Sequence, residues 1–188
     1  MFGREANIDD FQTKFSKKFD DAMYAANYNI ISGSYDVAVG SGRNYMKVSI
    51  PLRNRNSTAT KVTFPARLIA RSSTGERRHG ILLKNSSVIV PANSLYEVML
   101  VMYCGNIHED TSHGGLHDKL IVSDSDTLKD LTQRLANKKI NVEEYSDDES
   151  DVYWEIACVL QNIVWSVTNG SGLSQAKKDW IAALPNIF

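Results

Sequence analysis

The stretch from Asp148 to Asn169, DESDVYWEIACVLQNIVWSVTN, limits what this chain can fold into more than any other. Val152, Trp154, Ile156, Ala157, Val159, Leu160, Ile163, Val164, Trp165 and Val167 recur at helical spacing on every side of the helix they would form. A helix that is apolar all round must be enclosed by other elements, so this one is expected to be the central buried helix. Ser146 followed three residues later by Glu149 has the form of a capping box, acidic residues crowd the first turn, and Asn169-Gly170 offers a left-handed stop. Two residues in its middle, Cys158 and Gln161, bring a thiol and a carboxamide into the apolar run.

With 188 residues, 43% of them hydrophobic, the chain can bury one core without requiring two domains. From Ile8 to Asn27, Phe11, Phe15, Phe19, Ala22, Met23 and Ala26 share a face opposite Lys14, Lys17 and Lys18, which predicts an amphipathic N-terminal helix. The period then falls to two: Tyr35, Val37 and Val39 alternate, followed by Met46, Val48, Ile50 and Leu52 against Lys47, Ser49 and Arg53. Pro65 interrupts a strand pattern running from Lys61 to Arg71 and asks for a bulge or an edge. Shorter strand patterns follow at Ile81 to Lys84 and Val88 to Val90, and the longest runs from Leu95 to Cys104. Leu128, Leu131 and Leu135 return to helical spacing, and Ser174 to Leu184 reads as a last short helix before Pro185.

The expected fold is therefore α+β in a single domain over residues 1–188. It has a helix within 1–27, an antiparallel β-sandwich of about six strands over 28–104, a polar loop over 105–124 and a three-helix part over 125–188.

Composition narrows the function classes. The formal charge is -1 with both signs interspersed, so no nucleic-acid footprint is expected. No run approaches the ~20 apolar residues that span a bilayer, so no membrane insertion is expected. The start, MFGREANIDDF, lacks a basic-then-apolar leader with a small-residue cleavage site. Two locations are consistent with that: the cytoplasm, or the cell envelope or exterior if a leader was removed. Two cysteines are too few for a disulfide scaffold, though a single Cys104–Cys158 bridge is open at this stage.

The thiol and the carboxamide suggest a specific chemistry. Cys104 closes the longest strand pattern in Val101-Met102-Tyr103-Cys104-Gly105-Asn106, and Gln161 sits in Leu160-Gln161-Asn162-Ile163-Val164-Trp165. This pair of segments resembles the thioester domains of bacterial surface adhesins, which carry a Tyr-Cys segment and a helix with a Thr-Gln-x-Ala-Ile-Trp motif. Leu160 and Ile163 stand where that motif has Thr and Ala. The resemblance implies that Cys104 and Gln161 are a reactive pair, joined with loss of ammonia and later attacked by an amine or other nucleophile. Tyr103 and Trp165 would be the supporting motif residues. It further implies a non-enzymatic binding or adhesion module of the bacterial cell envelope, without a cofactor, whose partner is a protein or glycan on another surface. Such a bond requires thiol and carboxamide held in contact where water is excluded.

A second constellation lies just downstream. Cys104, His108, Glu109, Asp110, His113, His117 and Asp118 fall within fifteen residues, and imidazole, thiolate and carboxylate groups can close tetrahedrally around zinc. His108, Asp110, His113 and His117 are the candidate ligands of an alternative metal-binding protein or metal-dependent hydrolase. Their spacing is not HExxH, because Asp-Thr-Ser follows Glu109 before His113. A structural scaffold without small-molecule chemistry is the third expectation, and the sequence does not specify the oligomeric state.

Overall fold

The longest ladder in the molecule joins β3 (Met46–Asn54) to β8 (Leu95–Cys104), antiparallel from Arg53↔Leu95 to Met46↔Met102. Strand alternation turns Val48, Ile50 and Leu52 of β3 and Val98, Leu100, Met102 and Cys104 of β8 to the same interior side, where all are buried. A computed structural model describes residues 28–30, 34–37, 46–72, 79–106 and 116–187 of the chain. Among these it has nine strands and three α-helices, and every strand pairing is antiparallel.

The remaining strands are β1 (Tyr28–Ile30), β2 (Ser34–Val37), β4 (Thr60–Phe64), β5 (Leu68–Ser72), β6 (Gly80–Ile81), β7 (Ser86–Val90) and β9 (Leu116–Val122). Seven strands form one sheet in the order β1-β3-β2-β9-β5-β6-β8, and β8 pairs back onto β3, closing the sheet on itself. β1 and β2 share one side of β3, opposite Leu52 to Asn54 and Lys47 to Val48 respectively. Pro51, which has no N–H to give a neighbour, falls in the interval between them. β4 and β7 make a separate two-stranded sheet whose Val62, Phe64, Val88 and Val90 pack into the interior cluster. The arrangement is α+β with antiparallel sheets. In place of a sandwich of about six strands, the described strands divide into a seven-stranded sheet, six of whose strands close through the β3–β8 pairing, and this two-stranded sheet.

Pro65 acts as its lack of an N–H requires. It ends β4, and Arg67 takes φ of 71° before β5 begins in the other sheet. The Arg67 guanidinium donates to the Ser123 carbonyl at 2.8 Å and its N–H to Leu82 O at 2.7 Å, fixing the crossing.

Three helices follow: α1 (Asp126–Leu135), α2 (Ser150–Thr168) and α3 (Gln175–Ala183). They cover the outside of β5, β6, β8 and β9. Leu68, Ala70 and Val122 point inward, while Ile69, Ile81, Tyr103 and Ile121 point outward into a second core with Leu128, Leu131, Leu135, Leu160 and Val164. Strands covered on both faces read as continuous apolar runs, which is why Leu68-Ile69-Ala70 and Leu120-Ile121-Val122 lack alternation.

Three expectations need correction or placement. α2 is not enclosed on all sides: Val152 and Val159 are 49% and 38% exposed, and Asp151, Glu155, Cys158 and Asn162 share the exposed face. The helix packs over the outside of the sheet against β8 and α1, so one stripe faces solvent. Residues 105–124 are not loop throughout, because β9 occupies Leu116–Val122 between β2 and β5. The amphipathic helix expected within 1–27 lies outside the described residues. The capping box closes the short 3-10 turn Asp147–Glu149 that leads into α2, and the helix stops where Asn169-Gly170 signals its end. Glu149 Oε2 accepts from Ser146 N–H at 3.1 Å and from its hydroxyl at 2.8 Å, and Gly170 takes φ of 85° just past the last turn.

Candidate functional site

Cys104 is the last residue of β8. The N–H of Gly105 donates to His79 O at 2.7 Å, so the main chain of Gly105 turns toward β6 and that of Cys104, one residue earlier, turns away from it. On that other side the last described β3–β8 pair is Met46↔Met102. The N–H and C=O of Cys104 lie beyond that pair on the side away from β6, and a buried strand end needs a hydrogen-bonding neighbour there.

Gln161 of α2 supplies it. Its Oε1 accepts from Cys104 N–H at 2.9 Å and its Nε2 donates to Cys104 C=O at 2.8 Å. The side-chain amide thus makes the paired contacts that a neighbouring strand residue would make. Gln161 is 0% exposed and Cys104 5%. A carboxamide this deeply buried is tolerated because its donor and acceptor are both engaged. Gly105 lets the strand end close: a Cβ there would lie 3.0 Å from Ile81 Cδ1 and 3.3 Å from His79 O. His79 N–H in turn donates to Asn106 Oδ1 at 2.7 Å.

Trp165 follows Gln161 by one turn and packs against the interior cluster that contains Cys104, so the two motif residues share a helix face toward the same end of the sheet. Tyr103 points the other way. It is buried in the helix-covered core and donates to Ile140 O at 3.3 Å. Burial pushes its phenol well above the ordinary range, with Tyr153 and Tyr145 adding to the effect. Its place beside Cys104 in the chain becomes an opposite orientation in the strand. Cys158 is exposed on the outer face of α2 and Cys104 is buried; the two form no disulfide.

Of the candidate metal ligands, His108, Asp110 and His113 lie outside the described residues. His117 belongs to β9, with its Cα opposite Ser34 of β2 and Ser72 of β5. Among the described residues no helix is long and apolar enough to cross a membrane.

A second polar constellation lies outside the residues that the sequence singles out. Lys84 pairs with Glu144 Oε1 and donates to Lys138 O at 2.9 Å, while Glu144 Oε2 accepts from the N–H groups of Ile140 at 2.6 Å and Asn141 at 2.9 Å. The signal was present in Asn141-Val142-Glu143-Glu144, which has the same cap-and-return spacing as Ser146 and Glu149. The partner lysine had no local signal.

The fold and site define an α+β protein in which a helix carboxamide hydrogen-bonds the main chain of a cysteine at the end of a strand in an antiparallel sheet. No family model, curated protein or solved structure matches the chain.

Proposed function

We propose that this chain is a non-enzymatic binding or adhesion module of the bacterial cell envelope, in which Cys104 and Gln161 form an internal thioester that captures a nucleophile from a protein or glycan on another surface. The observation that carries the reading is the reciprocal pair of hydrogen bonds, 2.9 and 2.8 Å, between the Gln161 carboxamide and the main chain of Cys104. A carboxamide acylates a thiol only when the two are held together, because proximity replaces a bimolecular encounter. The N–H on Oε1 withdraws electrons from the carbonyl and is placed to stabilise the oxyanion of a tetrahedral intermediate. Burial of both residues keeps water from the product.

In the forming step Cys104 Sγ bonds to Gln161 Cδ and the Cδ–Nε2 bond breaks. Nitrogen leaves as ammonia, carrying the thiol proton. In capture an incoming nucleophile bonds to Cδ, the Cδ–Sγ bond breaks, and the sulfur recovers a proton.

Intact mass under denaturing conditions tests the reading. A chain lighter by one ammonia, with Cys104→Ala and Gln161→Ala at their full calculated masses, is the expected result. An unmodified wild-type mass overturns it. In that case the same two hydrogen bonds support a scaffold role, since both go to main-chain atoms and neither requires the thiol.

A further inference from the structure

Independently of the thioester reading, we infer that the outer side of β8 between Leu95 and Val101 is a docking face, and that its occupant is the segment 8–27 of the same chain. Strand alternation puts Leu95, Met99, Val101 and Tyr103 on the side of β8 away from the interior cluster. The helices cover one end of this row. Tyr103 is buried in the second core, and Val101 packs against Tyr153 and Ala157 of α2, with Trp154 on the same cluster. At the other end Met99 is 47% exposed and Leu95 63%, so the apolar row runs on from the covered part into solvent.

Three observations select the occupant. The first is where the chain enters the sheet. β1 begins with Tyr28 opposite Asn54 of β3, and the adjoining Arg53 lies opposite Leu95 of β8. The residues before Tyr28 therefore join two strands away from Leu95, about 10 Å at ordinary strand spacing, at the end where the exposed row starts. The second is length and pattern. Phe11, Phe15, Phe19 and Met23 recur at intervals of four, which makes one apolar stripe if the segment is helical. Twenty helical residues span about 30 Å and six strand residues about 20 Å, so a segment turning back at Tyr28 reaches from Leu95 past Val101.

The third is charge. α2 runs in the same direction as β8, with Tyr153 at Val101 and Gln161 at Cys104, so its start points toward Met99. That start carries Asp147, Asp148, Glu149 and Asp151, all exposed. Lys14 and Lys18 follow Phe11 and Phe15 by three positions and so stand at the edge of the stripe. Seated with residue 27 at Leu95, a helix brings those two lysines level with Val101 and Met99, beside the carboxylates of opposite sign.

The test is amide hydrogen exchange on the full-length chain, read within residues 8–27 and compared with a free peptide of that sequence. Wild type should exchange more slowly there than the peptide does. Met99→Asp changes an exposed side chain, so α2 and β9 should keep their protection, while exchange within 8–27 should quicken by at least about tenfold, the scale of one apolar side chain no longer buried. Ile89→Asp, equally exposed but on β7, should leave 8–27 as in wild type. Exchange at the peptide rate in wild type, no response to Met99→Asp, or an equal response to Ile89→Asp overturns the docking. Protection that disappears on dilution assigns the face to a second copy and overturns the choice of occupant.

Discussion

Lys84 and Glu144 stand 60 positions apart in the chain and share a hydrogen bond in the folded protein, with side chains 10% and 16% exposed. The pair ties the segment between β6 and β7 to the connection that leads into α2. It thereby helps hold the helix that carries Gln161 over the end of β8. Each ion keeps further partners, Lys138 O for the ammonium and two N–H groups for the carboxylate. Removing one member strands the other in a poorly solvated place. Lys84→Met should therefore cost about 3 kcal/mol, the low end for breaking a buried pair, read as a lower urea midpoint. A change within 0.5 kcal/mol, roughly the scale of an ordinary surface substitution, would show the pair to be solvated.

The same carboxylate sets a pH dependence. Burial raises the Glu144 pKa, but the hydrogen bond from Lys84, the N–H groups of Asn141 and Ile140 and the Lys84 charge outweigh it, and the net position is below the ordinary value of 4.5. Because the folded pKa is depressed, the contribution is fully present above the unfolded value and disappears as pH falls through the folded one. Urea midpoints measured downward from pH 6 should fall less steeply in Glu144→Gln than in wild type. Parallel curves would exclude Glu144 as a source of acid sensitivity.

Gln161 has a structural value independent of the thiol. In a Cys104→Ala background, where no thioester can form, Gln161→Ala should still destabilise by about 3 kcal/mol, because two buried hydrogen bonds to the main chain at position 104 are lost. Gln161→Glu in that background should be most stable in acid. Only the protonated acid can donate to Cys104 O, so its folded pKa is raised and stability falls as pH rises from the unfolded pKa toward the folded one. Denaturation across pH 4 to 8 measures both; a Gln161→Glu curve rising with pH would contradict the contact.

At Gly105 an added methyl group would sit 3.0 Å from Ile81 Cδ1 and 3.3 Å from His79 O, so its neighbours would have to give by a few tenths of an ångström. Gly105→Ala should cost about 1–2 kcal/mol by overpacking. Ile81→Val removes the nearer obstacle, so the double variant should be more stable than the sum of the single losses. Strict additivity in thermal melts would place the strain elsewhere.

The two faces of α2 should differ sharply. Leu160→Ala removes a fully buried side chain and should cost about 3 kcal/mol, whereas Val159→Ala, on the exposed stripe, should change stability by less than about 1 kcal/mol. Comparable losses at both positions would mean that the outer stripe is covered.

What was legible in the residues was mostly local. The leucines at 128, 131 and 135, the Ser146–Glu149 cap, the break at Pro65 and the Gly170 stop depend on neighbours within one turn or one peptide bond, and the folded chain uses each of them. Apolar content alone misplaced α2. A run of valines and tryptophans reports hydrophobicity without saying how many neighbours arrive, and Val152 and Val159 were left outside. β9 escaped for a related reason: a strand inserted between β2 and β5 is specified by the neighbours it pairs with as much as by its own pattern.

The residue types of the site were also readable, since a thiol at a strand end and a carboxamide in an apolar helix stand out. Their contact was not. It depends on Tyr103 turning outward so that Cys104 turns inward, and on α2 crossing the end of β8 57 positions later. Strand register and helix placement are properties of the assembled sheet. The sequence by itself determined where helices start and stop and which side chains carry chemistry, because those are short-range steric and hydrogen-bonding preferences. Only the tertiary structure decided that the Gln161 amide meets the main chain of Cys104, because that meeting is set by long-range pairing that no local pattern encodes.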